Sequence, residues 1–276
     1  MSIKARDERL ATSKMFYQYQ PIFPNDDRLE KLQRDKLWFS DPSKFNDPFD
    51  LKIPLDDLTL SGPFGDRSIL AQAFGHLFKS NKTEVENHWF YDRELISYLE
   101  RWSSGIEGYD LFGVIRNVER RFRSFGIACF TQAYDNPLMW SHYANNHKGF
   151  CIEYGVRAMN VLDEPEFGQF YVQYASELSK ICVSEALFAP HQVMNRMIGT
   201  KSADWAYEKE WRLVHFEKKA ELADLPTGIE ISALIAGFKM EPKDIEKLRI
   251  KADLFEIPAY RMKQKGQSNV LMLEKI

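Results

Sequence analysis

Cysteine is scarce, with only Cys129, Cys151 and Cys182 among 276 residues. An odd count without metal-like spacing excludes a disulfide framework and a thiolate metal knuckle. Cys129 and Cys151 lie in apolar strand-like runs and read as small buried hydrophobes. Long apolar runs are absent too: none approaches the ~18 residues that cross a bilayer. Met1 to Lys14 is charged and lacks the apolar core of a signal peptide. The expectation is a cytoplasmic chain with no membrane partner. An excess of charge is likewise missing, with 37 Lys+Arg against 40 Asp+Glu and a net charge of −3. That removes any bulk attraction to nucleic acid. The local exception, Arg116, Arg120, Arg121 and Arg123, alternates with Ile115, Val118 and Phe122 at helical spacing and reads as a solvated helix face. There is no internal repeat, no low-complexity tract and no Gly-x-Ser-x-Gly nucleophile turn.

What is plentiful is aromatic: 20 Phe, 12 Tyr and 6 Trp, 14% of the chain. A Phe-rich core is the first explanation of that excess. Alternating aromatic or apolar runs predict strands at Met15–Gln20, Leu37–Ser40, Ile127–Thr131, Phe150–Tyr154, Phe170–Tyr174, Trp211–Phe216, Ile229–Ala236, Leu254–Tyr260 and Val270–Leu273. Helical spacing predicts a short helix capped by Asn25 and longer ones over Asp66–Lys79 and Leu111–Phe122. Thr83 with Glu86 forms a capping box that opens a helix running to Arg101. Further helices start at Asn136-Pro137, lie near His191–Ile198 and follow Pro242. The fold class is therefore α+β: one domain over 1–276, with a mixed, mostly antiparallel sheet drawn from both ends of the chain and a helical insertion at about 60–124.

Three stretches carry candidate chemistry. Trp38 to Asp50 mixes rings with small polar groups, and Asn46-Asp47-Pro48 folds as a turn. Either the loop is structural and its rings anchor it, or Trp38 and Phe45 stack on a ring while Ser40 or Asn46 orients a hydroxyl or amide. In Pro137 to Ala144, Trp140, Ser141, His142 and Tyr143 are pocket candidates. Ser141 and His142 occupy consecutive helical positions that diverge, so His142 is a poor base for Ser141. His142 and His147 also miss the i, i+4 spacing of a helical metal pair, and no metal is expected. In Glu208-Lys209-Glu210-Trp211-Arg212, a strand would place Glu208, Glu210 and Arg212 on one face and Lys209 and Trp211 on the other. Two carboxylates about 7 Å apart need solvent, a partner or a ligand. The alternatives are an exposed Glu–Arg pair or a carboxylate that stabilises an oxocarbenium-like transition state.

The order Tyr-x-Tyr, Leu-Trp-Phe-Ser with Phe-Asn-Asp-Pro-Phe-Asp, Leu-Met-Trp-Ser-His-Tyr-Ala, His-Lys-Gly-Phe-Cys-Ile and Trp-x-x-Glu-x-Glu-Trp-Arg resembles the bacterial domain of unknown function family 2971 over about 15–260. The family's name itself carries no activity. A second resemblance is to the layout of ADP-ribosyltransferases, which implies a split sheet and NAD as substrate. On that layout Tyr17, Tyr19 and Gln20 belong to the first strand, Trp38 and Ser40 to the second, and Glu208 and Glu210 to the third. Glu210 would hold the ribose 2′-hydroxyl and stabilise the oxocarbenium ion, and Glu208 would position the acceptor. Position 20 is Gln where that layout has a cation or His, so phosphate neutralisation would fall to Arg212 or Lys36. The resemblance implies a nucleotide ligand, a protein or nucleic-acid acceptor, and a toxin or phage-defence setting. The rival expectations are a non-catalytic module sensing a nucleotide or phage protein, and a metal-dependent nuclease.

Overall fold

The computed structural model describes residues 14–24, 27–51, 67–88, 90–156, 164–177, 182–268 and 270–276. An eight-stranded sheet is built from β1 (Lys14–Gln20), β3 (Gly126–Thr131), β4 (Phe150–Val156), β5 (Phe167–Tyr171), β8 (Glu210–His215), β10 (Ile229–Ala236), β11 (Ala259–Gln264) and β12 (Leu271–Lys275). Its strand order is β12-β11-β10-β4-β1-β3-β8-β5, antiparallel except for the β10·β11 pair. Two ribbons flank it: β2 (Lys36–Phe39) with β9 (Glu221–Asp224), antiparallel, and β6 (Gln173–Ala175) with β7 (Thr200–Ser202), parallel. The predicted α+β class holds.

Alternation along the strands explains the two faces. Phe16, Phe130, Trp211 and Leu213 point to one face, which α9 (Pro242–Leu254) covers through Leu248 and Ala252. The opposite face is covered in two parts. Helices α2 (Arg67–Ser80), α3 (Lys82–Asn87), α4 (Arg93–Ser103) and α5 (Leu111–Phe122), the predicted insertion, close over Ile127 and Val214 with α7 (Val183–Phe188) and α8 (Pro190–Ile198). The short helix α6 (Pro137–Tyr143) covers Tyr17, Tyr19, Cys151 and Ile235. Between these two covers the sheet is nearly cut. β1 pairs β4 along seven residues but meets β3 only at Tyr17↔Thr131. The start of β3 is held instead by Ser40, through an isolated bridge to Ile127. A wedge is left between β1, β2 and β3.

Several boundaries differ from the sequence reading. The helix expected from Thr83 to Arg101 is two, because His88 is extended (ψ 130°) and Asp92 caps a new start by accepting from the Leu95 N–H at 2.8 Å. Asp92 also takes Arg120 at 2.7 Å, so the basic face of α5 is in part an inter-helix clamp. Leu254–Tyr260 is no strand: Leu254 ends α9, Glu256 turns the chain at φ 54°, and β11 starts at Ala259. A short apolar run does not separate helix from strand by period alone. Phe170–Tyr174 is divided at Val172: its N–H still bonds the Glu210 carbonyl of β8 at 3.1 Å, but the Gln173 N–H turns to the Gly199 carbonyl at 2.7 Å and the chain goes on to pair with β7. Asn25 lies outside the described residues, and the first helix, α1 (Arg28–Lys31), follows Asp27. No helix of the described residues is long and apolar enough to cross a membrane.

Candidate functional site

The wedge opens onto a cavity of about 800 Å³. Tyr17, Tyr19 and Gln20 of β1, Trp38 of β2, Ser40, Phe45, Asn46, His142, Tyr143, Glu208 and Glu210 all line it. Residues read from four distant stretches, β1 and the three candidate segments, thus share one hollow.

Its floor is a buried charge cluster. Glu210 and Arg212 lie on the β8 face that carries Cys129 on β3, opposite Trp211. Glu208 ends the 3₁₀ turn Ala203–Glu208, and Lys209 follows in the left-handed region at φ 46°. The expected single strand face through Glu208, Glu210 and Arg212 is therefore a turn plus a strand. The expectation of an exposed Glu–Arg pair is overturned as well, since Glu208, Glu210 and Arg212 are all buried. Arg212 spends all five of its N–H donors. Nε and Nη2 reach Glu210 at 2.8 and 3.0 Å, Nη1 and Nη2 reach Asp50 at 3.0 and 2.6 Å, and Nη1 also reaches the Ile198 carbonyl at 3.0 Å. It cannot serve a phosphate, contrary to expectation. Lys201 Nζ lies 2.6 Å from Glu208, 3.2 Å from Glu210 and 3.5 Å from Asp50.

Three carboxylates therefore face two cations, one negative charge in excess when all are ionised. Burial opposes ionisation of Glu208, Glu210, Lys201 and Arg212, and the neighbours decide the outcome. For Glu210 the Arg212 guanidinium and Lys201 ammonium outweigh burial and hold the carboxyl down at about 2. For Glu208 burial, helped by the Glu210 charge, wins over Lys201 and the Tyr143 hydroxyl, and the carboxyl is raised. Lys201 is pushed up in turn: burial lowers it, but the three carboxylates dominate. Two adjacent carboxyls driven apart in this way is the pattern of a fixed anion beside a proton-exchanging group.

The sign of the pH dependence follows. Glu210 is depressed from 4.5, so its stabilisation is complete above that value and is lost as pH falls towards about 2. The loss amounts to about 3 kcal/mol. Glu208, raised, contributes oppositely: its stabilisation is complete below the ordinary carboxyl range and fades as pH rises through its folded value. Urea titrations are expected to show Glu210→Gln less stable at pH 7 and close to wild type near pH 2. Equal losses at both pH values would refute the assignment.

Tyr143 links the floor to the rim. Its hydroxyl donates to Glu208 Oε1 at 2.5 Å and accepts from Asn46 Nδ2 at 3.4 Å. His142 is exposed, its ring 6.4 Å from Trp205 and 6.3 Å from Tyr207. Tyr19 donates to the Ala133 carbonyl at 2.9 Å, and burial raises its phenol as it does that of Tyr17.

Four predicted pocket residues do not line the cavity. Trp140 is core: it donates to the Tyr134 carbonyl at 2.7 Å and meets Tyr19 edge-on at 4.9 Å. Ser141 turns to His147, 3.3 Å away. Asp47 holds its own loop by accepting from the Phe49 N–H at 2.8 Å, the structural alternative for that residue. Arg212 stands behind the floor. Sequence reasoning missed Lys201 and Asp50. Asp50 closes the Phe-Asn-Asp-Pro-Phe-Asp motif and was legible as its last acid, whereas Lys201 sits in no pattern. At the rim, Arg28 and Lys31 join the expected Lys36 in lining the cavity. Gln20 accepts from Arg28 at 3.2 Å, so a cation does stand beside the position where the layout required one.

No curated protein and no solved structure matches this chain. Residues 139–213, which carry Tyr143, Lys201, Glu208, Glu210 and Arg212, are matched by the model of the family described as protein of unknown function (DUF2971).

Proposed function

We propose that the cavity binds NAD and that the Glu208–Glu210 pair promotes cleavage of its nicotinamide–ribose bond, with ADP-ribose passing to water or to a protein or nucleic-acid acceptor. The observation that carries this reading is the shared hollow: Tyr19, Ser40, Glu208 and Glu210 line one cavity. Its charge arrangement fits the reaction. As the C1′–N bond breaks, the electron pair stays with the nicotinamide nitrogen, which leaves neutral, and positive charge develops on the ribose. A floor carrying one excess negative charge in a water-poor site stabilises that charge. Glu210, held ionised, is the fixed anion. Glu208, made the more basic carboxylate by its burial, accepts in its ionised form the proton of the incoming oxygen as the C1′–O bond forms. Arg28, Lys31 and Lys36 at the rim suit a pyrophosphate lying outward of the ribose.

The test is direct. Incubation with NAD is expected to release nicotinamide, followed by chromatography. Unchanged NAD after prolonged incubation at high protein concentration would defeat the reading. The second reading, a nucleotide-sensing module, is favoured by how completely Arg212 and Lys201 occupy Glu210. It predicts thermal stabilisation by ADP-ribose without turnover. A metal-dependent nuclease would need these carboxylates to turn to an ion, whereas each faces Lys201 or Arg212. Chelator-sensitive cleavage of nucleic acid would restore it.

A further inference from the structure

The β2·β9 ribbon presents an apolar rung that its own packing does not require. Trp38 and Leu222 are cross-strand partners, yet Trp38 is 49% and Leu222 44% exposed. The opposite side of the ribbon is fully engaged, with Leu37, Phe39 and Ala223 buried. A large ring held on a rigid backing and left open to solvent marks a binding surface better than a packing accident. Both residues line the same cavity as Glu208 and Glu210. On the next outward rung, Lys36 meets Asp224 at 2.6 Å.

We propose that the Trp38–Leu222 rung seats the adenine ring of the dinucleotide; this rests on the reading above that the cavity takes NAD. The order of chemistry along the cavity sets the orientation. The acidic floor takes the end where positive charge develops, which is the nicotinamide riboside. The rim cations Arg28, Lys31 and Lys36 take the pyrophosphate. The remaining group is a flat, uncharged aromatic base, and the indole beside an aliphatic side chain is the solvent-open apolar surface on the same ribbon as Lys36. Stacking of this kind is indifferent to base edges and depends on ring area.

Nicotinamide mononucleotide keeps the scissile bond and one phosphate but lacks the adenylate, so it separates the subsite from the chemistry. The expected result is that Trp38→Ala raises KM for NAD about tenfold, leaves KM for nicotinamide mononucleotide unchanged, and is largely rescued by Trp38→Phe. Equal changes for the two substrates, or none for NAD, would overturn the subsite. Calorimetric titration with ADP-ribose and ribose 5-phosphate, neither of which has a bond to cleave, distinguishes the two ideas. ADP-ribose binding that weakens about tenfold in Trp38→Ala, with ribose 5-phosphate unaffected, supports the subsite even where NAD is not cleaved. ADP-ribose binding that ignores Trp38→Ala, or no ADP-ribose binding by the wild type, overturns it. Leu222→Ala gives the same contrast should Trp38→Ala not fold.

Discussion

Arg212→Met is expected to lower the free energy of unfolding by about 3–5 kcal/mol at pH 7. The guanidinium is fully buried and gives its five N–H groups to Glu210, Asp50 and the Ile198 carbonyl. Removing it leaves three carboxylates around Lys201 alone, and an uncompensated charge in a dry interior costs more than the lost hydrogen bonds. Arg212→Lys is not expected to rescue, because three rotating donors on a point charge cannot serve two bidentate partners. Two further features separate this from an ordinary packing loss. The deficit should shrink as pH falls and the orphaned acids take up protons. It should also be less than additive with Asp50→Asn, since both changes act on one network. Urea denaturation of the single and double variants at pH 7 and pH 4 measures all of this. A loss below about 1 kcal/mol would mean that the cluster is wet and that its electrostatics have been overstated.

The second large effect is on turnover. Glu208→Gln is expected to slow nicotinamide release at least a hundredfold, the usual contribution of a positioned proton acceptor. The amide keeps the volume, its one oxygen can accept from Lys201 while its NH2 donates to the Tyr143 hydroxyl oxygen, and it removes the charge that burial disfavours. The melting temperature at neutral pH should therefore hold or rise while activity disappears. In the wild type, activity should decline as pH drops through the raised Glu208 value. Glu210→Gln combines lost activity with lost stability, and this contrast assigns different roles to two acids two positions apart. Turnover by Glu208→Gln within threefold of wild type would remove Glu208 from the chemistry.

The sheet and the three site segments were legible because their signals are local. Tyr17 and Tyr19 alternate with polar residues, and Ser40, Glu210 and Arg212 sit in dense aromatic motifs. The wedge between β1 and β3 was not legible, because a missing rung leaves no mark on either strand's periodicity. Lys201 escaped for a related reason: a lone lysine on a three-residue strand looks like any surface lysine until its carboxylate partners are known. Trp140 misled in the opposite direction. An aromatic beside Ser, His and Tyr on a seven-residue helix can face either cavity or core, and here the indole turns inward to Tyr134 and Tyr19. The Lys209 turn was hidden because any residue type can be forced left-handed by its surroundings at a modest cost.

The reach from Asp50 to Arg212 spans 162 positions. At a ribosomal pace of ~5–20 residues per second, roughly 8–32 s separate the synthesis of the two. Throughout that interval the nascent polypeptide holds Asp50 without the guanidinium it pairs with in the fold. Closure of the buried charge cluster is thus deferred until Arg212 has been made, and a product ending before that residue would lack the guanidinium that joins Asp50 to Glu210.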